Sequence, residues 1–222
     1  MPSSTVENYL KTILRLEAEG EGATTVGEIA RELGVTPGTV TTMMRHLRDR
    51  GLVDYEPRRG LSLKPEGTTE AMKVVRRHRL LELFLVEVMG LDWSEVHAEA
   101  EVLEHAVSDR LLDRIDAMLG EPTHDPHGDP IPDRRGILPE DRAVPLIEAE
   151  VGRWRVVRVC DDDSDLLGWL RKKGLRIGEE VDLSLADRIG GVLELSRHDG
   201  DRVRMGVDAA EQVYVEAVEL PE

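Results

Sequence analysis

The sequence predicts an α+β protein in three parts, and three observations predict it. Apolar residues recur at helical spacing near the start. A long helical stretch rich in His and Glu follows. Short segments of alternating polarity fill the chain after Trp154.

Residues 5–19, "TVENYLKTILRLEAE", form the first amphipathic helix, with Val6, Leu10, Ile13 and Leu14 on one face. In "TTVGEIARELG", Thr25 and Glu28 have capping-box spacing and Gly34 stops the helix. In "VTPGTVTTMMRHLRDRGL", Thr36 is an N-cap, Pro37 suits the first helical position, and Gly51 ends the run. "LVDYEPRRGLSLKPEG" gives two short strands around a Pro-Arg-Arg-Gly turn. Long helices are expected over 66–90 and 94–119. The Pro-, Gly- and Asp-rich "GEPTHDPHGDPIPDRRG" is a loop, and "ILPEDRAVPLIEAEVG" a linker. Beyond them, "RWRVVRV", "EEVDLSL", "GVLELS", "DRVRMGV" and "QVYVEAVEL" are strands of a small β-barrel-like domain, with the helix "SDLLGWLRKKG" between the first two. The expected boundaries are 1–70, 71–136, a linker over 137–150, and 151–222.

Aromatics make up 3% of the 222 residues, which leaves the cores to aliphatic side chains and disfavours stacking on single-stranded nucleic acid. A single cysteine, Cys160, excludes an internal disulfide. No apolar run approaches membrane-spanning length, and a cytoplasmic location is expected. The net charge of -16 opposes general affinity for nucleic acid. It is unevenly spread. Residues 1–79 hold 13 Lys/Arg against 11 Asp/Glu, and within 36–79 the balance is 10 against 5. The basic excess falls on the helices and hairpin described above, which together make a winged helix-turn-helix. Its recognition helix offers Thr36, Pro37, Gly38, Thr39, Thr41 and Thr42, small enough for close approach to DNA. Arg45 lies further along, and Arg58 and Arg59 sit at the wing tip, in reach of phosphate. Use of the motif for protein contact alone is the plainer alternative.

"HAEAEVLEH" raises a second possibility. On one continuous helix His97, Glu101, Glu104 and His105 share a stripe, which continues into Leu111, Leu112 and Ile115. Charged groups on a face that turns apolar need partners, and a divalent cation satisfies several at once. A mixed helix with i,i+4 ion pairs remains open. His78 and Glu82, one turn apart, and Asp125 and His127 in "HDPHG" extend the donor set. Carboxylate and imidazole without thiolate suit Mn(II), Fe(II) or Zn(II).

Taken together, "ENYLKTI", "ELGVTPGTVTTMMRHLRDRGLV", "RRHRLLELFL", "VHAEAEVLEHAVSD", "DPHGDPIP" and "KKGLRIGEEV" resemble the diphtheria-toxin-repressor family of metal-dependent transcriptional repressors over nearly the whole chain. The resemblance implies a homodimer on double-stranded operator DNA, controlling metal homeostasis genes. Each subunit would have a winged helix, a helical dimerisation and metal-binding domain, and an SH3-like domain. It implies a primary site of Asn8, Glu101, Glu104 and His105. It implies an ancillary site of His78, Glu82 and His97, with Asp125, His127 and an acidic residue of the SH3-like domain, Asp163 being favoured. Position 101 is cysteine in iron-responsive members and glutamate in manganese-responsive ones, so Glu101 favours Mn(II) over Fe(II). Asn8 stands where methionine or aspartate is common. Lys11 replaces a glutamate of some manganese regulators, which argues against a close two-metal cluster. The rivals are a carboxylate/His metalloenzyme and a winged-helix regulator that needs no metal. The enzyme is disfavoured because Val102, not a glutamate, lies three residues before His105.

Overall fold

The structure is a computed structural model and describes residues 3–20, 23–57, 59–160, 163–187, 189–198 and 200–218. Its contacts divide the chain into two compact units. One holds the chain up to His78 with Glu104–Val107 and Pro132–Leu138; the other holds Arg79–Leu103, Ser108–Ile131 and the residues from Pro139 on.

In the first unit, α1 (Ser4–Glu19) starts where the Ser3 hydroxyl accepts the Val6 N–H. Val6, Leu10 and Ile13 are buried as their period requires, joined by Tyr9. α2 (Val26–Glu32) carries both arms of the expected capping box. The Thr25 N–H donates to Glu28 at 2.7 Å, and the Glu28 N–H donates to the Thr25 hydroxyl at 3.2 Å. Gly34, at φ +63°, makes the turn into α3 (Pro37–Asp49). Val40, Met44 and Leu47, at i, i+4 and i+7, are fully buried and lock α3 into the core around α1. The wing is β1 (Val53–Glu56) antiparallel to β2 (Gly60–Leu63), with Val53 opposite Leu63. α4 (Pro65–Glu87) begins against it. A Cβ on Gly67 would lie 2.0 Å from the Leu52 carbonyl oxygen, so only glycine permits that approach.

The second unit contains the end of α4, then α5 (Val96–Leu103) and α6 (Asp109–Met118). The single helix expected over 94–119 is therefore two. The break has a local cause: Ser108 acts as an N-cap, its hydroxyl accepting the Leu111 N–H, and Asp109 follows in the favourable first turn. Glu104 and His105 consequently lie in the turn after α5, not on a helical stripe. The stripe does not continue either: Leu112 and Ile115 are buried within the chain, whereas Leu111 is exposed.

The C-terminal part is an antiparallel six-stranded sheet, ordered β3-β8-β4-β5-β6-β7. The five expected strands are β4 (Gly152–Val159), β5 (Glu180–Asp187), β6 (Val192–Arg197), β7 (Arg202–Gly206) and β8 (Val213–Ala217). α7 (Ser164–Lys172) is the expected helix, and a short α8 (Val207–Glu211) joins β7 to β8. The segment 137–150 is more than a linker. It supplies the edge strand β3 (Val144–Pro145), paired with β8, and a 3-10 turn whose Leu146 is fully buried. Proline suits such an edge, which has no neighbour on one side. The core under the sheet is aliphatic, from Val156, Leu167, Leu170, Leu183 and Leu193. The "HDPHG" loop is pinned to β4: Val159 N–H donates to the His127 carbonyl at 2.9 Å, and Gly128 (φ +86°) passes so close that a Cβ would meet the Val157 carbonyl oxygen at 1.9 Å.

Candidate metal centres and DNA-reading face

Helix α3 presents Thr36, Pro37, Gly38, Thr39, Thr42 and Arg45 as exposed residues, with Thr41 half-buried. Their hydroxyls are occupied locally. Thr36 caps α3 by accepting the Thr39 N–H, and Thr41 and Thr42 donate to the carbonyls of Pro37 and Gly38 at 2.9 and 3.0 Å. With the hydroxyl hydrogen spent inside the helix, each threonine brings a methyl group and acceptor lone pairs to a partner, which suits thymine methyls better than phosphate donation. Arg59 at the wing is exposed and pairs with Glu56 at 3.0 Å. Arg58 lies outside the described residues.

The first unit also gathers a buried network of charges. Glu104, wholly buried, accepts from the Lys11 ammonium at 3.1 Å to each carboxylate oxygen. His78 Nδ1 lies 2.7 Å from Glu104 Oε2. His105 Nδ1 lies 2.7 Å from Glu7 Oε2, and the other Glu7 oxygen accepts from Arg77 at 2.6 Å. A carboxylate only accepts, so Nδ1 of His105 carries the hydrogen. Its Nε2 is buried, has no hydrogen-bond partner, and lies 3.5 Å from Glu104 Oε1. The Asn8 side-chain oxygen is likewise buried without a hydrogen bond. Leaving such atoms unsatisfied costs roughly 1–3 kcal/mol each. A nitrogen lone pair beside a carboxylate oxygen, both dry, is a donor set that fits a divalent cation.

The second unit holds another such set. Glu82, Asp125 and His127 are all buried, and each can offer one ligand atom within 4.8 Å of the others. The His127 Nε2–H donates to the Trp93 carbonyl at 2.7 Å, so Nδ1 is the lone-pair nitrogen; it makes no hydrogen bond and lies 3.8 Å from Glu82 Oε2. The other Glu82 oxygen is 3.2 Å from His97 Nδ1. Burial, with the Asp129 and Glu82 carboxylates nearby, pushes the Asp125 carboxyl well above the usual carboxylate range. Arg79 and the Asp129 N–H oppose that shift without cancelling it. Its Oδ2 is buried and makes no hydrogen bond, and a cation bound there would offset the burial that disfavours the charged form.

The other expected ligands have the following surroundings. Glu101 belongs to the second unit, its carboxylate 3.8 Å from His97 Nε2. His78, assigned to the ancillary set, bonds to Glu104. Asp163 caps α7, its Oδ1 accepting from the N–H groups of Asp165 and Leu166, and among the described residues it joins neither donor cluster. Sequence reasoning missed Glu7, Arg77 and Arg79. The first two had a readable signal: each is a charge on the apolar stripe of its helix, Glu7 with Leu10 and Leu14, Arg77 with Val74 and Leu81.

Comparisons with known proteins agree along the length of the chain. The N-terminal DNA binding domain of iron dependent repressors matches residues 1–61, their metal binding and dimerisation domain matches residues 64–133, and a FeoA domain matches residues 144–217. The diphtheria toxin repressor of Corynebacterium efficiens is 36% identical over 226 aligned residues, covering 97% of this chain and 96% of that protein. The iron-dependent repressor IdeR of Mycobacterium tuberculosis is 34% identical, covering 96% and 97%. Among solved structures, a manganese-dependent transcriptional repressor in complex with manganese superposes with a TM-score of 0.89 at 37% identity, covering 96% of this chain and 100% of that one. ScaR with bound cadmium gives 0.83 at 36% identity, covering 96% and 99%. Matched in sequence from end to end and in the order of its domains, the chain belongs to the iron-dependent (diphtheria toxin) repressor family of metal-dependent transcriptional regulators.

Proposed function

We propose that this protein is a repressor that binds operator DNA as a homodimer when a divalent metal is present, with Mn(II) favoured over Fe(II), and that it controls metal homeostasis genes. The observation that carries the metal dependence is the buried Nε2 of His105, which makes no hydrogen bond, beside Glu104 in the same unit as the recognition helix. Helix α1 links the two. Its Glu7, Asn8 and Lys11 stand at the donor cluster or next to it, and its Val6, Leu10 and Ile13 share a core with Val40, Met44 and Leu47 of α3.

Glu104, His105 and Asn8 would hold the metal, with Glu101 as the further ligand that the family pattern suggests. When bound, the ion supplies positive charge for the Glu104 carboxylate and directional bonds that join α1 to the turn after α5. The chain's residues then do the rest. Lys11 gives up Glu104, α1 settles in one position, and α3 follows it through their common core. Such an effect is a population shift toward the DNA-competent geometry. Glu82, His97, Asp125 and His127 would form the second site. There Trp93 fixes the His127 tautomer and Arg79 steadies Asp125 and Asp129. Asp163, engaged in capping α7, is left out.

The preference for Mn(II) rests on the donors. All are oxygen or imidazole nitrogen, and no thiolate stands among them; soft ligands would favour metals later in the series. The solved manganese-bound relative is consistent with this, while the iron-dependent relatives keep Fe(II) as the second reading. The dimer rests on Val88, Met89, Val102, Leu103, Leu111 and Met118, which are exposed on one chain within the segment matching the dimerisation domain. No helix among the described residues is long and apolar enough to cross a membrane.

The test is fluorescence anisotropy on DNA from the protein's own promoter region, with chelator or with graded Mn(II) and, anaerobically, Fe(II). Metal should convert weak binding to tight, salt-sensitive binding, and His105→Ala should abolish the conversion. Equal binding in chelator would refute metal dependence and leave a plain winged-helix regulator.

A further inference from the structure

We propose that Glu7, held by Arg77, is the positioning residue for His105: it fixes the Nδ1–H tautomer and thereby keeps Nε2 available as a ligand atom. The proposal rests on the reading that the Glu104–His105 cluster takes a divalent cation.

A neutral imidazole has one N–H, and only the other nitrogen can bind a metal. At His105 the choice is made by Glu7. The 2.7 Å contact between Nδ1 and Glu7 Oε2 is a hydrogen bond only if Nδ1 donates. In the opposite tautomer two lone pairs would face each other across that distance. The Glu104 oxygen beside Nε2 is farther away, at 3.5 Å, so the closer contact with Glu7 decides and favours the tautomer with Nε2 bare.

Glu7 can do this only if its carboxylate, 5% exposed, is held still. Arg77 holds it. Its Nη2 donates to Glu7 Oε1 at 2.6 Å, so the two oxygens of Glu7 are divided between the guanidinium and the imidazole. Arg77 is itself 7% exposed, and the pair neutralises two charges that burial would otherwise make costly. The line from Arg77 through Glu7 to His105 crosses from α4 to α1 to the turn after α5. It thus holds the bare nitrogen in place before any ion arrives. Neither Glu7 nor Arg77 needs to touch the metal. Partners of this kind, outside the ligand shell, orient a metal-binding histidine and raise its basicity.

The experiment compares wild type with Glu7→Gln and with the double variant Glu7→Ala/Arg77→Met, which removes both buried charges together. All are made in a His127→Ala background so that the second cluster does not report. Mn(II) binding is measured by the electron paramagnetic resonance of free ion, and His105 is followed by long-range ¹H–¹⁵N correlation in metal-free protein. Wild type should show a protonated Nδ1 and a bare Nε2. Both variants should show mixed tautomers and bind Mn(II) about 10- to 100-fold more weakly, the range typical for loss of such a partner. The double variant should keep the wild-type melting temperature without metal. A wild-type Nε2 that carries the proton, or a double variant whose Mn(II) Kd stays within about twofold of wild type, overturns the proposal. His105→Ala is the control: if it binds Mn(II) as well as wild type, the cluster is not a metal site and the parent reading falls first.

Discussion

Lys11 offers the sharpest test of how the first cluster works, because it already occupies the place of a cation. Its ammonium lies 3.1 Å from Glu104 Oε1, with the lysine side chain 23% exposed and the glutamate fully buried. At that separation and an effective dielectric of about 20, the attraction is roughly 5 kcal/mol. Discounting for the exposed side of the lysine leaves about 2–3 kcal/mol. Lys11→Met should therefore do two opposite things. It should destabilise the metal-free protein by about that amount, because Glu104 keeps only His78 and its neighbours. It should also tighten Mn(II) binding by roughly 30- to 100-fold, since the ion no longer displaces a competitor and each 1.4 kcal/mol is a factor of ten. Calorimetric melting with and without Mn(II), together with chelator competition for Kd, reads both. Lys11→Arg, which keeps the charge, should shift neither strongly. If Lys11→Met leaves both the metal-free melting temperature and the Mn(II) Kd unchanged, the ammonium is a surface charge in an incidental position and the competition argument is wrong.

Four further outcomes are expected. Asp125 has a raised carboxyl pKa, so the folded state holds its proton more tightly than the unfolded state. Its contribution to stability is present at acid pH and is lost as pH rises through the folded value. Asp125→Asn should therefore stabilise the metal-free protein at neutral pH, with the gain fading toward pH 4 and below, while reducing the stabilisation by Mn(II); denaturant melts across pH with and without metal check both parts. Glu101→Cys should move activation of DNA binding from Mn(II) toward Fe(II), Co(II) or Ni(II), and an unaltered order of metals in anisotropy titrations would remove residue 101 from selectivity. Leu111→Asp with Val102→Asp should convert a dimer of about twice 24.8 kDa to a monomer in sedimentation, since both residues are exposed on the single chain; Leu112→Asp should instead unfold α6. Arg59→Ala should weaken binding to specific and unrelated DNA alike. Thr42→Val keeps a methyl and should retain more discrimination than Thr42→Ala in competition assays.

Much of this protein was legible in its sequence because the signals are local. The Thr25–Glu28 capping box and the Thr36 cap with Pro37 behind it each determine their element within a few residues, and each formed as expected. The five alternating segments after Trp154 became strands for the same reason. The donor inventory was legible too, since His and carboxylate clusters are visible by composition alone. What the sequence could not decide was which donors meet. The assumption of one helix over 94–119 put His97, Glu101, Glu104 and His105 on one stripe, although Ser108 and Asp109 already marked a new helix start. With the chain broken there, Glu104 turns to Lys11 and His78, 93 and 26 positions away along the chain, and His105 to Glu7, 98 positions away. Glu101 stays beside His97. Glu7 and Arg77 carried only the weak mark of a charge on an apolar stripe, and the tautomers of His105 and His127 depend on a carboxylate and a carbonyl that only folding brings near. Helices and strands answer to neighbours a few residues apart, so sequence determines them. A buried ion site answers to dielectric and to contacts between distant segments, and those exist only once the chain has folded.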